Sequence, residues 1–270
     1  GLVAGTYSVL ITDENGCEFP IEIDITQNEE LTAQHTTSEY GIYQISCKNS
    51  NDGSINLVTT GGTGAYSYQW SAVDNDGQTI TVPQADANGN ITGLVAGTYS
   101  VLITDENGCE LPIEIEMTQP DQGVDIQESH SDFTGQGVSC FGESDGFIDV
   151  TVTGGAGGYI YNWSAVDTNG QIITVPADTD GDISGLVAGT YSLIATDSNG
   201  CFTEIVVEIT QNQELTASET TSDFTGQGVS CFGESDGSID LVTNGGTGVY
   251  NYQWSAVDND GQIINVPQAD

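Results

Sequence analysis

The chain has 270 residues, with 40 Asp and Glu against one Lys, no Arg, and a formal net charge of −39. Proteins that grip a phosphate backbone displace counterions with Lys and Arg, and docking on anionic membranes uses polybasic segments, so both classes are excluded. Isopeptide stapling of an adhesin domain needs one Lys per domain, which Lys48 alone cannot supply. Hydrophobic residues make up 37% and aromatics 8%, enough for packed cores, so the acidity does not signal disorder. No apolar run approaches the roughly 18 residues of a membrane span, and no basic-then-apolar leader opens the chain.

Self-comparison sets the frame. Gly-Leu-Val-Ala-Gly-Thr-Tyr-Ser begins at Gly1, Gly93 and Gly185, and Asn-Gly-Cys ends at Cys17, Cys109 and Cys201, each 92 residues apart. Trp70, Trp163 and Trp254 follow nearly the same period. A unit of about 92 residues is the size of one small domain. The expected division is the end of one repeat (1–30), two whole repeats (31–122 and 123–214) and the start of another (215–270), read as cuts in a longer array.

Within 31–122 the expected elements run in order. Leu31–Thr37 opens as a strand, and Ile55 and Leu57 then share one face of a second. Gly61–Gly64 reads as a hairpin turn, followed by an aromatic strand carrying Tyr66, Tyr68 and Trp70. Asn75–Gly77 turns the chain into short stretches near Thr79–Val82 and Asn90–Thr92. Tyr99, Val101 and Ile103 alternate next, then Asn107-Gly108 turns into Ile113, Ile115 and Met117, with Glu114 and Glu116 on the opposite face. About seven short strands without helical period predict an all-β, immunoglobulin-like sandwich. Trp70, Trp163 and Trp254 are expected in the core, and Leu94-x-x-Gly97-x-Tyr99 has the pattern of a tyrosine corner, repeated at Tyr191.

Cys-Phe-Gly-Glu-Ser-Asp-Gly at Cys140–Gly146 and Cys231–Gly237, then Gly-Gly-Thr-Gly-x-Tyr-x-Tyr-x-Trp, then Ala-Gly-Thr-Tyr-Ser and Asn-Gly-Cys, resemble the SprB repeat of gliding-motility adhesins in Bacteroidota. PKD-type domains are similar more distantly. The first copy departs from the pattern, reading Cys47-Lys48-Asn49-Ser50-Asn51-Asp52-Gly53. The resemblance implies tandem PKD-like sandwiches in an extended rod, part of a very large cell-surface filament exported by type IX secretion. It also implies work with the gliding machinery, and contact with external surfaces or polysaccharide through other parts of the protein.

Catalysis has no constellation to rest on. His35 and His130 are not at equivalent repeat positions and the last copy has no His, so neither a Ser–His–Asp nor a His–metal site can recur on each unit. The chain is expected not to be an enzyme and to require no cofactor. Asp178, Asp180 and Asp182 at alternate positions around Gly181 suit Ca²⁺, against the simpler reading of solvated acidic loops. The leading functional expectation is a stalk in which each domain adds roughly 35–40 Å of reach. The alternative is that each repeat is a glycan- or surface-binding module acting by avidity, with Tyr40 and Tyr43 in an aromatic platform.

The six cysteines number two per repeat. In an immunoglobulin-like strand order, the first precedes the second strand and the other follows the sixth, which runs the same way. They therefore lie at opposite ends of one domain, about 30 Å apart, where a disulfide needs Cα atoms within roughly 7 Å. Stacked repeats instead bring Cys47 toward Cys201 and leave the others to partners beyond this segment.

Overall fold

The computed structural model describes residues 1–175 and 179–266, and among these it contains strands but no helix. They form two compact units: Gly1–Gln127 with Val152–Tyr161 and Ile194–Glu204, and Glu128–Thr151 with Asn162–Leu193 and Ile205–Asp270.

In the first unit, β1 (Gly5–Thr12) and β2 (Glu18–Ile25) form an antiparallel hairpin. The next repeat follows in seven strands: β3 (Thr32–Thr37), β4 (Gly53–Thr60), β5 (Ser67–Val73), β6 (Thr79–Ile80), β7 (Ile91–Leu94), β8 (Gly97–Thr104) and β9 (Glu110–Met117). They pair as a three-stranded sheet, β3-β4-β7, and a four-stranded sheet, β6-β5-β8-β9. This is the immunoglobulin-like arrangement expected from the alternation, with the first, second and fifth strands facing the rest. Period-two patterning aims one face of each strand at the other sheet. Tyr99, Val101 and Ile103 on β8 are buried and meet Ile55, Leu57, Ile91, Leu94, Ile115 and Met117.

The tyrosine corner is present. The Tyr99 hydroxyl, on a fully buried ring, donates to the Val95 carbonyl at 3.0 Å, and burial, only partly offset by that bond, raises its pKa. Tyr191 repeats the bond to Val187 at 2.9 Å. Trp70 and Trp163 pack against their clusters while part-exposed, and their indoles donate to the Gly89 and Gly181 carbonyls. Trp254 is not core in this structure: it is 40% exposed, because residues 215–266 hold counterparts of β3 to β6 but none of β8 and β9 to pack over it.

Gly61–Gly64 is not a hairpin. It joins β4 to β5, which lie in different sheets, so it is a crossover from one layer to the other. Gly61 and Gly62 have φ of 75° and 64°, and a Cβ on Gly61 would run into the Glu30 carbonyl, so the close approach requires glycine. The Asp105 carboxylate closes the crossover by accepting from Thr63 N at 2.8 Å.

The following repeat has the same plan. Its strands are β10 (Asp125–His130), β11 (Gly146–Thr153), β12 (Ile160–Asp167), β13 (Ile172–Ile173), β14 (Ile183–Leu186), β15 (Gly189–Thr196) and β16 (Phe202–Ile209). The sheets are β10-β11-β14 and β13-β12-β15-β16. In the second unit, Val138, Ile148, Ile183, Leu186, Tyr191, Val207 and Ile209 form the core. There the last copy contributes β17 (Thr216–Thr221) paired with β18 (Ile239–Asn244), and β19 (Ala256–Val257) paired with β20 (Ile263–Ile264).

Candidate functional site

The feature with built chemistry is a docked turn in the first unit. The turn is Asp197-Ser198-Asn199-Gly200-Cys201, which links β15 to β16. The almost fully buried Asp197 organises it: one carboxylate oxygen accepts the backbone N–H of Asn199 at 2.9 Å and of Cys201 at 2.8 Å. The other oxygen accepts Ala156 N at 2.7 Å. This is an Asx turn, in which a short carboxylate holds the backbone that follows it.

The turn sits on the loop between β3 and β4. That loop is shaped by its own bonds: Ser38 Oγ donates to the Gln44 carbonyl at 2.6 Å, Tyr40 and Tyr43 exchange backbone bonds at 2.7 and 3.1 Å, and Ser46 N donates to Asp52 at 3.2 Å. Burial pushes the Asp52 carboxyl up, but the Ser46 hydrogen bonds outweigh it and hold the pKa below its ordinary value. The Asn199 side-chain amide donates to the Ser46 carbonyl at 3.1 Å, with a longer contact to the Tyr40 carbonyl at 3.4 Å. Beside it Cys47 and Cys201 form a disulfide, with Cα atoms 5.7 Å apart across 154 residues of sequence. That spacing lies inside the usual disulfide range. A shallow cavity next to the bond is lined by Lys48, Gly123, Val124, Gly155 and Phe202. The Lys48 ammonium donates to the Asp121 carbonyl.

Cys17, Cys109, Cys140 and Cys231 are unbonded and exposed. Tyr40 and Tyr43 are part-buried, and the Tyr40 phenol is raised in pKa by burial first and the Asp52 carboxylate second. They do not form an exposed platform. Phe141, Phe202 and Phe232 are the exposed phenyl rings nearest the cysteines, at 48%, 69% and 108%.

Of the acids singled out for calcium, Asp178 lies outside the described residues. Asp180 is exposed, and Asp182 accepts Val150 N at 2.7 Å. Asn90 occupies the equivalent place in the preceding repeat and accepts Leu57 N at 2.8 Å. Among the described residues no group of three His, Cys, Asp or Glu is placed to hold a metal ion. The other acidic loops are Asx turns: Asp74, Asp86, Asp167 and Asp258 each accept backbone N–H groups two and four residues on. Their carboxylates therefore order the loops as well as charging them.

Sequence reading missed Asn199 and Asp197. The signal was available in the recurrence of Asp-x-Asn-Gly-Cys at Asp13–Cys17, Asp105–Cys109 and Asp197–Cys201. Spacing alone marked it as a turn and hid its use as a plug.

Comparison with known proteins gives a family and a fold neighbourhood. No curated protein matches. The first eight immunoglobulin domains of Down Syndrome Cell Adhesion Molecule isoform 1.30.30 align at 13% identity, with a TM-score of 0.41, over 77% of this chain and 28% of that one. The tetra-tandem repeat from the extending region of a large adhesion protein aligns at 17% identity, with a TM-score of 0.28, over 98% of this chain and 70% of that one. The family model described as SprB repeat matches three times, at residues 42–75, 136–168 and 226–259, each spanning the loop that carries Cys47, Cys140 or Cys231 or its flank and the tryptophan strand. Three stretches of this chain, one in each copy of its 92-residue repeat, are thus similar to the SprB repeat.

Proposed function

We propose that this chain is a stalk segment of a very large cell-surface adhesin, in which repeated sandwiches set reach and pass tension between a binding element elsewhere in the protein and the cell. The observation that carries the reading is the bond between Cys47 and Cys201, because it ties a loop of one copy of the 92-residue repeat, inside an SprB match, to a turn of the next copy. A disulfide between repeats bears on how they hold together under pull. It adds nothing to recognition of a ligand. Disulfides persist in oxidising, extracellular settings, which fits a surface location. The acidic skin keeps neighbouring filaments apart by like-charge repulsion. In this reading the segment is no enzyme, and its partners are gliding and type IX secretion components on the cell side and a surface or polysaccharide met by other regions.

The test is removal of the repeat run from the gene. Cells should keep a shorter filament on their surface, visible with antibody on intact cells, and lose attachment or gliding at distances the shorter filament cannot reach. Unchanged attachment and movement would count against the stalk. Small-angle scattering of the chain gives an independent check, since a compact globule or freely jointed beads would not serve as a stalk.

A second reading, a glycan- or surface-binding module on each repeat, is favoured by exposed Phe141, Phe202 and Phe232. A single repeat on a glycan array would show specific binding if it held.

A further inference from the structure

Each repeat carries both halves of the cysteine clamp, and all the halves are built alike whether or not they are joined. On the turn side, Asp105 accepts from Asn107 N at 3.0 Å and Cys109 N at 2.8 Å, and Asp13 accepts from Asn15 N at 2.8 Å and Cys17 N at 2.9 Å. These match the docked turn bond for bond. On the loop side, Ser131 and Ser222 donate to the Gly137 and Gly228 carbonyls at 2.6 Å, as Ser38 does to Gln44. Ser139 and Ser230 donate through their backbone to Asp145 and Asp236 at 3.0 Å, as Ser46 does to Asp52. The loops are therefore shaped for an occupant before one arrives.

A second observation points to what is missing. The residue after each unbonded loop cysteine is a bare aromatic: Phe141 after Cys140 is 48% exposed, and Phe232 after Cys231 fully so. In the joined clamp the same position is Lys48, which lines the cavity together with Cys201 and Phe202 of the docked turn. Phe141 and Phe232 thus occupy the position that, in the joined clamp, lies against the residues of the incoming turn.

We propose that Cys140 and Cys231 each bond to the Asn-Gly-Cys turn of the following SprB repeat, and that Cys109 and Cys17 each bond to the Ser-Cys loop of the preceding one, so that every boundary of the array is closed as Cys47–Cys201 is. The occupant of each loop is the Asp-x-Asn-Gly-Cys turn of another copy of the repeat. Its asparagine amide meets the Ser139 or Ser230 carbonyl as Asn199 meets Ser46. The Ser139 carbonyl already has the Asn212 amide at 3.5 Å, and the Phe133 carbonyl has the Thr134 hydroxyl at 2.7 Å, but a carbonyl oxygen has two lone pairs and accepts a second donor. Phe141 is then covered by the residues that follow the incoming cysteine.

Closure is a two-electron oxidation. The thiolate of one cysteine attacks the disulfide of an oxidised dithiol carrier and forms a mixed disulfide. The thiolate of the other cysteine attacks that sulfur, forms the inter-repeat bond and releases the carrier as a dithiol. The two cysteine protons go to solvent, the two carrier thiolates take up two protons in exchange, and both electrons stay on the carrier.

The ladder rests on the adhesin reading, and the experiment separates the two. Cells are lysed in N-ethylmaleimide to cap free thiols, and the whole protein is digested without reduction and mapped by mass spectrometry. The expected result is a peptide with Glu106-Asn107-Gly108-Cys109 linked to a Ser-Cys loop peptide, and a Cys140 loop peptide linked to an Asn-Gly-Cys turn, with less than a tenth of either cysteine capped. Capped Cys109 and Cys140 beside an intact Cys47–Cys201 bond overturn the ladder. Links between two turns, between two loops or within one repeat overturn it equally. Protease shaving of intact cells reports surface location separately, so a failed ladder on a surface-exposed protein leaves the adhesin reading standing.

Discussion

The turns Asp105–Cys109 and Asp197–Cys201 share a sequence pattern, an Asx-turn geometry and a carboxylate that also ties down a neighbouring crossover. Only the second makes a disulfide and places its asparagine on another repeat's carbonyl. Local chemistry is thus spent on shaping the turn, and the difference in fate comes from what stands opposite. The loops show the same contrast, with Cys47 joined and Cys140 open on backbones held by equivalent bonds.

The sharpest way to break this comparison is to remove the bond. In the 270-residue chain alone, Cys47→Ser, or reduction of the parent, should lower stability by about 2–5 kcal/mol, while Cys109→Ser, whose proposed partner lies in another repeat, should change it by less than about 0.5 kcal/mol. Calorimetry with and without reductant checks this, and the reductant should have no further effect on the Cys47→Ser chain. Equal losses at both sites would erase the distinction between joined and open turns.

Smaller, and directed at the asparagines, is the pair Asn199→Ala and Asn107→Ala. Asn199 donates to the Ser46 carbonyl, and its loss should cost about 0.5–1.5 kcal/mol and make the disulfide easier to reduce in a glutathione buffer. Asn107 donates only to the Thr63 hydroxyl within its own repeat, so its loss should leave the ease of reduction unchanged.

Acid sharpens the comparison from the turn side. The Asp105 carboxyl is held below its ordinary value of 3.8, chiefly by the Cys109 backbone N–H, and Asp13 likewise by that of Cys17. A depressed folded-state pKa contributes stability that is present above the unfolded value and lost as pH falls through the folded one. Below about pH 4 the open turns should therefore loosen. Protonation also relieves repulsion in a chain of net charge −39, which pulls the other way. Comparing Asp105→Asn with the parent removes that shared background: the acid-induced fall in melting temperature should be smaller in the variant. Calcium should have the least effect. Its candidate ligand Asp182 already bonds Val150 N, so melting temperature should stay flat up to millimolar Ca²⁺. A rise that Asp182→Asn abolishes would overturn this expectation.

Strand identity was legible in the sequence because each strand has one wet face and one dry one. Ile55 with Leu57, and Tyr99 with Val101 and Ile103, announce their faces through period two. The pattern Leu94-x-x-Gly97-x-Tyr99 carried the corner with its hydroxyl partner four residues upstream. Which strands share a sheet was less legible, since alternation looks the same on either layer. Gly61–Gly64 was read as a hairpin for that reason. The tryptophan strand gave a face but not its depth: Trp70 holds its indole N–H on a loop carbonyl near the edge of the core. The clamp sits between these cases. Stacking of repeats gave the cysteine pair, while the role of Asn199 depends on where the Tyr40 and Ser46 carbonyls come to lie, and a linear pattern does not hold that information.

Lys48 has a consequence for survival outside the cell. A protease that cuts after basic side chains finds one target in 270 residues, with its ammonium engaged by the Asp121 carbonyl. A cut there would leave Cys47 on the shorter piece and Cys201 on the longer one. The nicked chain would remain one covalent molecule, so the single site open to such enzymes lies where a severed backbone is already spliced by sulfur.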